Sequence, residues 1–103
     1  MRKMQVFEAL ADPTRRRIVE LLAEDERSVG EVASHFRVSR PAVSRHLRVL
    51  REAGVVNARG DAQRRIYRLD PKALGEAEDW LARRREFWEQ RLDALAAHLE
   101  KEE

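Results

Sequence analysis

Cysteine is absent from the 103 residues, which excludes disulfides, thiolate metal sites and cysteine nucleophiles. Long apolar runs are missing as well. The longest, Ala94 to Ala97, is four residues, far short of a membrane span. The first ten residues alternate charge with apolar groups and lack the continuous apolar stretch of a signal peptide. Glycine and proline number four and three, and no repeat or Gly/Ser linker divides the chain. Apolar residues make up 43% and charged residues 39%, too apolar for a disordered tail and rich in surface charge. A single cytoplasmic domain spanning residues 1–103 is expected.

The 21 basic and 19 acidic residues nearly cancel in number but not in position. Between Arg37 and Arg68 nine arginines face only Glu52 and Asp61, a local balance of +7. From Pro71 onward six basic residues meet nine acids, a balance of −3. Such a split suits a polyanion on one face and another partner at the far end, although an arginine-rich surface can also be merely solvated.

Local signals predict about five helices and one hairpin. Met4 to Leu10 presents Val6, Phe7 and Leu10 as an apolar stripe. Asp12-Pro13 reads as an N-cap with proline at the first helical position, opening a helix to about Glu24. Ser28 with Glu31 forms a capping box for a short third helix whose buried side is Val29, Val32, Ala33 and Phe36. After a brief turn at Arg37-Val38, Ser39 caps a fourth helix over Arg40 to Ala53, with Val43, Leu47 and Leu50 inward and Gly54 ending it. Two β-biased runs, 55–59 and 64–69, flank a turn predicted at Gly60-Asp61-Ala62-Gln63. Asp70-Pro71 opens a last helix that continues to about Lys101, weakened near its start by Gly75.

Two helices about three residues apart, the second arginine-rich outside, match helix-turn-helix geometry. The outward set is Ser39, Arg40, Pro41, Ser44 and Arg45, with Arg48 one turn on and His46 adjoining. That end of a recognition helix meets base edges in a major groove, where Arg40 and Arg45 are the candidates for sequence discrimination. Arg59, Arg64, Arg65 and Arg68 of the hairpin suit phosphate or minor-groove contact.

The runs Phe7-Glu8-Ala9-Leu10-Ala11-Asp12-Pro13-Thr14-Arg15-Arg16-Arg17-Ile18 and Val38-Ser39-Arg40-Pro41-Ala42-Val43-Ser44-Arg45-His46-Leu47 resemble the ArsR family of winged helix-turn-helix repressors. Leu50-Arg51-Glu52-Ala53-Gly54-Val55-Val56 carries the resemblance into the wing, so that it covers roughly residues 5–70. It implies a mainly α fold with a small β-hairpin wing, and a homodimer on a palindromic DNA operator that represses transcription until a signal releases it. Metal-sensing members carry a cysteine pair where Ser28 and Gly30 stand, and others place Asp and His ligands along the last helix. Here Asp79 is followed by Trp80-Leu81, and His98 by Leu99-Glu100-Lys101, so both familiar metal sites are missing and no cofactor is expected. Arg37 occupies a position where many such turns have glycine; a left-handed residue there would cost about 1 kcal/mol, or else the turn differs.

His35, His46 and His98 lack the spacing of a ligand pair, and no arrangement of acids or hydroxyls argues for catalysis. The C-terminal segment 71–103 is read as a dimerisation helix whose roughly 31 helical residues would reach about 46 Å, longer than a body this size can cover. Leu74, Leu81, Trp88 and Leu95 recur every seven residues, and Leu92 with Leu99 adds a second row. With Phe7 and Leu10 of the first helix, Leu81, Trp88, Leu92, Leu95 and Leu99 are the expected dimer seam; an aromatic ligand pocket is the less common use of such residues. Other readings are a repressor answering a metal or small ligand at an unrecognised site, and a protein-interaction module using the aromatic last helix. RNA is disfavoured, because its narrow major groove does not admit a helix.

Overall fold

Asp12, Ser28 and Ser39 each turn a side-chain oxygen onto the free amides of the helix that follows, and these caps set the frame. The computed structural model describes residues 2–101, with side-chain surroundings from Gln5 onward. After α1 (Arg2–Leu10), Asp12 accepts from the amides of Thr14 at 2.8 Å and Arg15 at 3.1 Å, starting α2 (Pro13–Glu24). Ser28 Oγ accepts from the Glu31 amide and Glu31 Oε1 from the Ser28 amide, both at 3.2 Å, which closes the capping box of α3 (Val29–Ala33). Ser39 Oγ accepts from the Ala42 amide at 3.3 Å and starts α4 (Arg40–Glu52). That helix ends with the Val55 amide on Leu50 O at 2.9 Å and the Gly54 amide on Arg51 O at 3.0 Å. Gly54 takes φ 81°, the left-handed conformation this ending needs and a side chain resists.

The helices close on one core. Ile18, Val32, Val43, Leu47, Leu50 and Val55 are fully buried, and Val6 and Ala9 of α1 join them. Each such aliphatic side chain contributes roughly 1.5–3 kcal/mol by leaving water. Because Val43, Leu47 and Leu50 recur at helical spacing, their burial turns the opposite side of α4 to solvent.

Two expectations about loops need correction. Strands β2 (Val56–Asp61) and β3 (Arg64–Leu69) pair with Asp61 opposite Arg64, so only Ala62 and Gln63 form the turn. Gly60 lies inside β2 opposite Arg65, and Ala62 takes the positive φ of 56°. Register explains this: Ile66 and Tyr67, buried on opposite faces of β3, pair with Arg59 and Ala58, which leaves Gly60 opposite Arg65 inside the ladder. The third helix is also shorter than expected. It stops at Ala33, and His35 and Phe36 continue only through single bonds to the carbonyls of Val32 and Ala33. Arg37 is not left-handed, since Ala62 is the sole non-glycine residue with positive φ among the described residues, so the turn differs from the glycine-bearing kind.

A third strand, β1 (Arg27–Ser28), pairs with the free edge of β3, giving the order β1-β3-β2. Two residues are too few to show alternation, which is why sequence reading passes over it.

The last element, α5 (Pro71–Lys101), runs 31 residues without a break at Gly75. Its start packs on α1, with Ala77 buried and the rings of Phe7 and Trp80 centred 5.2 Å apart. From Leu81 to Lys101 every residue is exposed. The extents are therefore 69 × 27 × 24 Å and the radius of gyration is 18.8 Å, against about 13 Å for a compact chain of this length. Residues 102 and 103 of the expected 71–103 segment lie outside the described residues. Among the described residues no helix is long and apolar enough to cross a membrane.

Candidate nucleic-acid interface

With its inner side committed to the core, α4 presents Arg40, Pro41, Arg45 and Arg48 to solvent and leaves Ser44 half-buried. Among the described residues none of these three arginines has a carboxylate within 4.0 Å. Ser39 is engaged as a cap: its oxygen holds the Ala42 amide, which leaves its hydroxyl proton and one lone pair for another partner. Arg40, the first residue of α4, folds toward α3. Its guanidinium lies 3.8–3.9 Å from where a side chain on Gly30 would begin. His46 stands apart from this row, half-buried, with Nδ1 3.4 Å from Arg15 Nη1 of α2.

The wing arginines divide into two kinds. Arg59 pairs with Glu26 at 2.7 Å, while Arg64 lies 3.6 Å from Glu31 and 3.9 Å from Asp61. Arg65 and Arg68 have no such partner among the described residues. Strand alternation places Arg65 on the face of Tyr67 and Ala58, opposite the face of Arg59, Arg64 and Arg68. The acids Glu26 and Glu31 come from segments 33 residues or more away in sequence, so a charge count along the hairpin could not reveal them. The Glu31 carboxyl is held below its ordinary value first by the Ser28 backbone amide, then by the Ser28 hydroxyl, with Arg64 and Arg27 adding to this.

At the other end, Leu81, Trp88, Leu92, Leu95 and Leu99 lie on one narrow stripe of α5 and are 52–61% exposed. Phe7 and Leu10 are half-buried, Phe7 against Trp80 of its own chain. Arg84 sits 5.0 Å over Trp80 and Arg91 4.5 Å over Phe87, so both flanking aromatics carry a cation on one face. Among the described residues no group of three or more His, Cys, Asp or Glu side chains is placed to hold a metal ion.

Comparison with known proteins agrees with this geometry. Residues 12–58 match the bacterial regulatory protein family arsR. The HTH-type transcriptional regulator Rv2034 of Mycobacterium tuberculosis is 45% identical over 95% of this chain and 89% of its own length. The transcriptional repressor SdpR of Bacillus subtilis is 37% identical over 74% of this chain and 84% of its own. The solved structure of an ArsR-like transcriptional regulator from Rhodococcus sp. RHA1 superposes with a TM-score of 0.81 at 31% identity, covering 91% of this chain and 89% of that one. A capped recognition helix, a two-stranded wing and relatives of this similarity agree: the chain belongs to the ArsR family and is a winged helix-turn-helix, DNA-binding transcriptional regulator.

Proposed function

We propose that the protein is a homodimeric, cytoplasmic repressor without enzymatic activity that binds a palindromic operator. Each protomer lays α4 in a major groove, and two-fold symmetry sets the two helices about 34 Å apart. The observation that carries this reading is the row Arg45 and Arg48, with no carboxylate within 4.0 Å among the described residues, beside Pro41 and Ser44 on the side of α4 turned away from the core. Arg45 discriminates bases, and the wing arginines supply backbone affinity. The exposed stripe Leu81, Trp88, Leu92, Leu95 and Leu99 supports a seam with a second copy, to which the half-buried Phe7 and Leu10 of α1 would add. Repression follows from occupancy of the promoter and requires no metal.

The test is fluorescence anisotropy with DNA from upstream of the protein's own gene against a scrambled duplex, at two salt concentrations, with and without chelator. A preference of about a hundredfold or more that chelator leaves untouched is expected. Arg45→Ala should cost about 1–3 kcal/mol at one base pair per half-site and leave scrambled DNA unaffected. Equal, weak, salt-sensitive binding to both duplexes would show that the region upstream of its own gene holds no operator for this protein.

A further inference from the structure

The wing and the start of α4 do not stand apart on the surface; an open cleft of about 400 Å³ joins them. Ser28, Gly30, Arg40, Gln63, Arg64 and Arg65 line it. Of its three arginines, Arg64 is engaged by Glu31 and Asp61 and braces the wing against α3. Arg40 of α4 and Arg65 of the wing are left, with no carboxylate within 4.0 Å among the described residues. Two guanidinium groups that line one open cleft, without a carboxylate partner among the described residues, suit an anion with several acceptor oxygens.

We infer that Arg40 and Arg65 together clamp one backbone phosphate, that of the DNA strand crossing between the groove entered by α4 and the groove met by the wing. The inference rests on the DNA-binding reading above and adds a division of labour to it. Arg40 becomes a positioning residue that fixes how α4 sits on the duplex, where spacing along the helix alone suggests a base reader. Its seat depends on Gly30. A methyl there would make ordinary contact with the guanidinium at 3.8 Å, whereas a longer side chain would occupy the space Arg40 uses.

The test uses the intact protein and two duplexes of unrelated sequence, because a phosphate contact is blind to bases. Anisotropy titrations give affinity and its salt dependence for wild type, Arg40→Ala, Arg65→Ala and the double variant. Each single variant should weaken both duplexes by the same several-fold factor, and the double variant by less than the product of the two. The double variant should also lose a salt-dependence slope of about 0.9 per protomer, the value of one phosphate. Gly30→Leu should reproduce the Arg40→Ala loss at an unchanged melting temperature, while Gly30→Ala binds as wild type. Independent, multiplicative losses, a loss confined to one duplex, or wild-type binding by Gly30→Leu would each overturn the clamp. Failure of the wild type to bind either duplex at low salt would overturn the DNA reading itself, and the clamp with it.

Discussion

Arg15 Nε donates to the carbonyl of Ala9 at 2.7 Å, and through this bond the second helix caps the first. The same guanidinium donates to Glu8 O at 3.3 Å and reaches His46 Nδ1 of the recognition helix at 3.4 Å. Its neighbour Arg16 donates to Leu10 O at 3.0 Å and Ala11 O at 3.1 Å. Helix α1 has no basic residue in its last turn, so its terminal carbonyls depend on these two arginines. One side chain thus joins the end of α1 and the middle of α4, the two elements assigned to the partner subunit and to DNA.

Arg15→Ala should therefore destabilise the fold by about 2 kcal/mol, the scale of lost hydrogen bonds to a charged group. Arg15→Lys should recover only part of this, because an ammonium cannot fork between two carbonyls and a ring nitrogen. Urea denaturation checks both. A midpoint for Arg15→Ala equal to wild type would show that the network is only a surface contact.

Two small substitutions should raise stability. Ala62 holds φ 56° at the wing tip, a conformation that costs a residue with a Cβ about 1 kcal/mol, so Ala62→Gly relieves it. Gly75 lies in the interior of α5 with open space where a Cβ would point, so Gly75→Ala should add about 1 kcal/mol. The two share no element, and their melting-temperature gains should add.

Trp88 is 59% exposed at the centre of the α5 stripe. Trp88→Ala should shift sedimentation toward the monomer at concentrations where wild type is dimeric, with the helical circular dichroism signal kept. An unchanged dimer would take the seam away from this stripe.

Acid should loosen the start of α2. The Asp12 carboxyl is held below its ordinary 3.8, chiefly because it accepts the Arg15 amide, with Thr14 and the Arg15 and His46 charges adding to the effect against a burial penalty. A lowered folded pKa contributes stability that is complete above the unfolded value and is lost as pH falls through the folded one. Thermal stability should thus decline below about pH 4, with Glu31 acting in the same direction. Asp12→Asn keeps a capping oxygen without titrating and should flatten that decline. An identical acid limb in the variant would place the loss elsewhere.

The caps at Asp12, Ser28 and Ser39, the ending at Gly54 and the span of α5 were all legible from residue order. Each depends on contacts within a few residues, and short-range chemistry leaves short-range signals. The inward triad of α4 was legible for a related reason, since helical spacing turns burial of one side into exposure of the other.

Long-range pairing left no such trace. The partners Glu26 and Glu31 neutralise Arg59 and Arg64 only because β1 and α3 are folded against the wing. The tip falls at Ala62 because Ile66 and Tyr67 hold β3 in register, against the preference of Gly60 for a turn. Arg40 and Arg65 come to line one cleft through chain closure and not through any motif. Composition and local order thus specify a winged helix-turn-helix with a basic middle and a long apolar-striped tail. Which arginines remain free for a polyanion depends on where distant carboxylates come to rest in the folded chain.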